Sequence, residues 1–151
     1  MNMNANMSPE VLKIRDLDHN LLKLLDEGKF SEGVDACHEI LKLLETLPEA
    51  DKEANKEFFV ELADDVRDRL VLCKFKLEDY DSAIEEGLTA LEIKESYGIH
   101  SRIGICYFKK GKYYKARDHL NKAKSLNPGM EDKIVDNYIK QTLEMIADIE
   151  S

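Results

Sequence analysis

The sequence predicts an all-α fold, a right-handed α-solenoid of three helix pairs closed by a C-terminal capping helix. Three observations predict it. First, Gly104, Tyr107, Gly111, Tyr113, Ala116, Leu120, Ala123 and Pro128 fill one register, in which small residues let two antiparallel helices approach and aromatic residues fill the gaps between them. Gly111 serves the turn of that register, and Pro128 follows a second helix that it cannot continue. Second, the register recurs, with Tyr80, Ala83, Gly87 and Ala90 taking the places of Tyr113, Ala116, Leu120 and Ala123 at a displacement of 33 residues. Third, no segment alternates apolar and polar residues as a half-buried strand would.

A fainter copy places Gly28, Phe30, Gly33, Cys37 and Ile40 where Gly111, Tyr113, Ala116, Leu120 and Ala123 stand, 50 residues before the second copy. About sixteen extra residues therefore lengthen the helices or loop around Leu44 to Phe58, and three repeats are about the minimum for a stable stack. Ser8, Pro9 and Glu10 mark a helix start, as N-cap, first-turn proline and acidic residue at the positive end of the helix dipole. The first helix carries Leu17, Leu21, Leu24 and Leu25 to Gly28. Its partner spans 31–44 and buries Val34, Cys37, Ile40, Leu41 and Leu44, before Pro48 breaks the chain.

Helical spacing then runs through Phe59, Leu62, Ala63, Val66, Leu70, Cys73 and Leu77, so one long helix is expected from about residue 51. Helices follow at 81–95, 99–110 and 112–126. A seventh, at 131–149, is amphipathic, and its Val135, Tyr138, Ile139, Thr142 and Ile146 are expected to cover the apolar end of the stack. The repeats thus occupy about 14–47, 64–97 and 97–130 of one domain, 8–149, and residues 1–7 are expected to be disordered.

With 43% hydrophobic residues, a chain of 151 can bury one continuous core. Its first residues lack the basic and apolar regions of a signal peptide, and no apolar run approaches membrane-spanning length. A cytoplasmic protein without a membrane partner is expected. Cys37, Cys73 and Cys106 lie on helical patterns without C-x-x-C spacing and read as small buried side chains.

The net charge of −9 hides an asymmetry. Between Tyr97 and Pro128 eight basic residues stand against Asp118 alone, so that segment carries +7 and the remainder −16. Two readings stay open: a solvated helix surface, or a basic face for an acidic partner. Nucleic acid is not expected, because the rest of the molecule would repel phosphate and no nucleic-acid motif is present.

Asp16, Asp18, Asn20 and Glu27 nearly match a calcium-binding loop, but Leu21 holds the place that needs glycine, and the leucines continue a helix straight through it. His19, His38, His100 and His119 show no metal-ligand spacing with cysteine. Neither a phosphate-cradling glycine loop nor a nucleophile motif is found. A non-enzymatic protein without metal or cofactor is expected.

These spacings are those of the tetratricopeptide repeat (TPR), and the chain resembles the TPR domains of co-chaperones and large immunophilins, in which a longer connection also separates the first two repeats. The stretch from Cys73 to Ile84 is similar to second repeats of that group, and Arg102 to Phe108 to the opening of their third. The resemblance covers about residues 14–149. It implies a heat-shock chaperone tail ending in Glu-Glu-Val-Asp as partner, held by a basic and polar clamp on the first helices of the repeats. The clamp's Lys and Asn of the first repeat correspond here to Asp18 and Leu22, its Asn of the second to Arg69, and its Lys and Arg of the third to Gly98 and Arg102. Arg102 alone keeps its type.

In such a stack the first helix of each pair lines the concave surface. The candidate peptide-binding residues on those helices are Arg15, then Arg69, Leu72, Phe75 and Lys76, then Arg102, Ile105, Phe108 and Lys109. Guanidinium groups pair carboxylates through two parallel hydrogen bonds, and the apolar residues suit the side chains of an extended peptide. The expected function is capture of an acidic peptide or C-terminal tail. The alternative is a structural assembly module that self-associates or docks through its oppositely charged regions.

Overall fold

Eight helices and no strand make up residues 7–151, the part of the chain that the computed structural model describes. The disorder expected of the N-terminus lies, for residues 1–6, outside the described residues; Met7 packs against the core. In chain order the helices are α1 (Pro9–Asp26), α2 (Phe30–Glu45), α3 (Glu49–Ala54), α4 (Lys56–Lys76), α5 (Tyr80–Ile93), α6 (Tyr97–Lys109), α7 (Tyr113–Leu126) and α8 (Lys133–Glu150).

Local chemistry sets their starts. Ser8 is extended and its hydroxyl accepts the Val11 N–H, which satisfies one of the free donors at the head of α1. Ser96 does the same for Ile99 at α6, and Asp132 accepts from Ile134 and Val135 at α8. That aspartate cap moves the start of the last helix to Lys133, two residues past the expected one.

The long helix expected from residue 51 is divided. Asn55 leaves helical geometry (φ −140°, ψ 43°), as a side chain that competes for local backbone groups does readily, and its carbonyl accepts the Phe59 N–H that opens α4. One helix thus becomes α3 and α4, which raises the expected seven to eight. The Pro48 carbonyl accepts from Asp51 and Lys52, and the Ser8 hydroxyl donates to Asp51 at 2.8 Å, tying α3 to the head of α1.

The turn inside each repeat is built the same way three times. Lys29 N–H reaches Leu24, Asp79 reaches Lys74, and Lys112 reaches Tyr107, each closing over a residue in the left-handed region. That residue is Gly28 (φ 72°), Glu78 (φ 61°) or Gly111 (φ 76°). Glycine takes this conformation freely, whereas a side chain costs about 1–2 kcal/mol there. A Cβ on Gly111 would meet nothing within 4 Å, so the penalty is purely conformational. Gly111→Ala is expected to lower stability by about 1 kcal/mol, and Glu78→Gly to raise it by about 0.5 kcal/mol after the extra freedom of the unfolded glycine is deducted. Shifts of the urea midpoint in opposite directions would bear this out; equal midpoints would refute it.

The chain divides into two compact units, Met1–Cys73 and Lys74–Ser151. In the first, Ile14, Leu21, Ile40, Val66 and Leu70 are fully enclosed, and α1 runs unbroken through Asp16 to Asp26 where the calcium-like spacing lies. Gly33 permits the close approach of Cys73, whose sulfur would stand 2.9 Å from an added Cβ. In the second, α6 packs on α5 and α7, and α8 covers α7 and α6 with Val135, Thr142 and Ile146 buried, as its amphipathic pattern requires. Ala83, Ala90, Ala116 and Ala123 are all buried where helices cross closely.

All three cysteines are buried and unbridged. A hydrogen bond with Cys73, with burial behind it, pushes the Cys37 thiol far up, and burial pushes Cys106 up to about 12. Neither ionises near neutrality, so both behave as packing groups.

Candidate functional site

The candidate residues fall in both units. In the first unit, Arg69 of α4 donates to Asp18 of α1 at 2.8 Å, with both side chains 23% exposed. The two clamp places of opposite charge therefore neutralise each other. Arg15 approaches Asp16 at 3.6 Å, and Leu72 is half-buried.

In the second unit most of the candidate residues lie along α6. Ser96 caps the helix, and Ser101 donates to the Tyr97 carbonyl at 2.8 Å, which leaves the following turns to present Arg102, Phe108 and Lys109. Ile105 was expected to face a peptide, but it is only 5% exposed and packs against Leu120 and Val135. It supports the face from beneath, because α8 brings Val135 onto it. Phe75, at the end of α4, packs on the same cluster, while Lys76 is exposed.

Tyr138 of α8 packs against two of these candidates. Its ring meets Phe108 edge-on at 5.3 Å, and the Lys109 ammonium lies 5.7 Å from its centroid. A hydrogen bond to Tyr138 raises the Lys109 pKa, so this cation is held charged over an aromatic face. Tyr138 did not figure among the candidate residues, since its spacing on α8 spoke only for packing.

The surplus of positive charge between Tyr97 and Pro128 is partly consumed within the unit. Lys110 pairs with Asp81, Arg117 with Asp118, Lys122 with Glu95 and Lys124 with Asp136. Four of the eight cations are thus matched by carboxylates, which favours the solvated-surface reading for the α7 side. Lys109 and Lys115 lie instead over tyrosine rings.

Two histidines that sequence spacing left unconnected meet between α6 and α7. His100 Nδ1 and His119 Nδ1 are 3.0 Å apart, and His100 Nε2 is 3.2 Å from a Glu95 carboxylate oxygen. The carboxylate only accepts, so His100 donates to it from Nε2. Burial first, and His100 second, hold the His119 imidazole below its usual value, while Asp118 and Glu95 pull the other way. The folded chain therefore binds fewer protons there than the unfolded chain. Stability should fall as the pH drops from about 6.5 toward the folded value. Melting temperatures across pH 7.5 to 5 should show a fall that His119→Gln flattens; an unchanged slope in that variant would remove this origin. Among the described residues no group of three His, Cys, Asp or Glu is placed to hold a metal.

The model of the tetratricopeptide repeat family matches residues 98–130, which are α6, α7 and the Pro128 stop. Residues 98–130 are a tetratricopeptide repeat. No curated protein sequence matches the chain. In three dimensions it is similar to the P58(IPK) TPR domain, with a TM-score of 0.76 and 14% identity over 94% of this chain, and it spans 36% of that one. It is also similar to the C-terminal TPR-containing domain of a Plasmodium falciparum FK506-binding protein (TM-score 0.74, 17% identity, 97% of each chain). The first TPR domain of human RPAP3 is a third such structure (TM-score 0.67, 16% identity, 91% of this chain and 94% of that one).

The chain has the TPR solenoid fold. Within the matched TPR repeat, Arg102 is the clamp place that keeps its type and stands on the first helix of the pair. It is half-buried and engaged within the fold. Among the described residues no helix is long and apolar enough to cross a membrane.

Proposed function

We propose that the chain is a non-catalytic cytoplasmic adaptor that captures an acidic C-terminal tail on the α6 face of its TPR repeat. The observation that carries this reading is the spacing of two cations beside one aromatic ring. Arg102 and Lys109 are two helical turns apart, about 10 Å along α6, with Phe108 next to the second. An extended tail of polyproline-like pitch brings a terminal carboxylate and an acidic side chain three residues upstream to about the same separation. Arg102 then takes one carboxylate and Lys109 the other, while Phe108 offers apolar contact to the two residues between them.

Titration with an acidic peptide, free and amidated at its C-terminus, tests this. Affinity should fall with added salt, and amidation should weaken binding about tenfold, as the loss of one charge-assisted contact does. Binding that ignores both salt and the terminal carboxylate would refute tail capture.

A further inference from the structure

The first unit holds a cavity of about 390 Å³ bounded by the end of α2, by α3 and by the opening turns of α4. It exists because Asn55 divides the expected long helix, which lets α3 fold across the mouth. Leu41, Leu44, Phe59, Val60 and Ala63 form its walls. Val60 is 53% exposed, an aliphatic group left open to solvent at the mouth, and neighbouring Phe58 is 51% exposed. The volume lies within the range of about 300–1,000 Å³ in which binding pockets fall.

Charge selects the occupant. Between Glu45 and Arg67, the segment from which the charged lining comes, the chain carries eight carboxylates against two lysines and one arginine, a net −5. Glu45, Glu49 and Glu53 stand on the rim itself. Three cations also line it: Lys52 is turned onto the Glu45 carbonyl at 2.9 Å and Glu49 at 3.7 Å, Arg67 onto Asp64 at 3.2 Å, and Lys56 is exposed. An apolar well in so acidic a frame suits a ligand with an apolar body and positive flanks. We propose that this cavity is a second docking site, which takes the apolar anchor side chains of a basic, amphipathic segment of a partner protein. Its place and its charge preference are independent of the α6 face.

The test uses the full chain and a designed amphipathic peptide of leucine and lysine. Two control peptides accompany it, one with serine for leucine and one with glutamate for lysine. The leucine–lysine peptide should bind and shift the methyl resonances of Leu41, Leu44 and Val60, and each control should bind at least about tenfold more weakly. Val60→Lys, at an exposed position, should weaken the leucine–lysine peptide by a similar factor, with circular dichroism confirming an unchanged fold. It should leave acidic-tail binding intact, so a failure of this site and a failure of the α6 site are told apart. Equal binding of the serine control would reduce the effect to general charge attraction and overturn the proposal. So would preference for the glutamate peptide, absence of binding, or indifference to Val60→Lys.

Discussion

Leu120→Ala is expected to lower stability by about 2–5 kcal/mol, because Leu120 is fully enclosed between Ile105 and Val135 and leaves a cavity when truncated. The same side chain lies on Gly104. A Cβ added there would stand 2.6 Å from Leu120 Cγ and 2.8 Å from Cδ2, closer than real contacts allow. Gly104→Ala should therefore cost about 1–3 kcal/mol through overpacking, although alanine is the better helix former. In the double variant the new methyl enters the space that Leu120 vacates, and the remaining tight contact is the Leu120 backbone nitrogen at 3.2 Å. The two losses should then sum to more than the double variant shows, by about 1 kcal/mol or more. Denaturant unfolding of the four proteins measures this, and strict additivity would show that α6 and α7 move apart at little cost. Ala116→Leu, at a fully enclosed place on α7, belongs to the same class, with an expected loss of about 1–3 kcal/mol.

What could be read in advance follows from how local each feature is. The places Tyr80, Ala83, Gly87 and Ala90 announce their helix because packing at a fixed spacing repeats every 33 residues, and α5 lies there. The turn was legible where glycine marks it, at Gly28 and Gly111, and hidden where Glu78 adopts the same left-handed geometry. Asn55 breaks a helix whose apolar spacing continues on both sides, so periodicity passes over it. The site depends on contacts that spacing does not encode. Asp18 meets Arg69 across 51 residues, His100 meets His119 across 19, and Tyr138 arrives on Phe108 from a helix read only as a cap. On α6, Arg102 is half-buried and Lys109 exposed, while Ile105 is buried because α8 brings Val135 onto it, a contact that spacing does not encode.

Arg102→Ala is expected to weaken acidic-tail binding by about 1.5–3 kcal/mol, the range for a hydrogen bond to a charged group, or about tenfold or more in affinity. Arg69→Ala should behave differently although it also deletes a guanidinium from a first helix. Arg69 is already committed to Asp18 at 2.8 Å, and its removal leaves a carboxylate at 23% exposure without that partner. The loss should register as stability, about 1–2 kcal/mol after allowance for solvent screening, with tail affinity nearly unchanged. Restoring neutrality with Asp18→Asn in the Arg69→Ala background should recover part of that stability, which a binding role would not. Thermal unfolding and peptide titration of the same variants separate the two quantities. If Arg69→Ala harmed binding as much as Arg102→Ala while leaving the melting point alone, the pair with Asp18 would be incidental and the tail would have to reach α4. The separation of effects rests on the Arg69–Asp18 pair at 2.8 Å, which ties the Arg69 guanidinium to α1, whereas Arg102 and Lys109 stand together on α6.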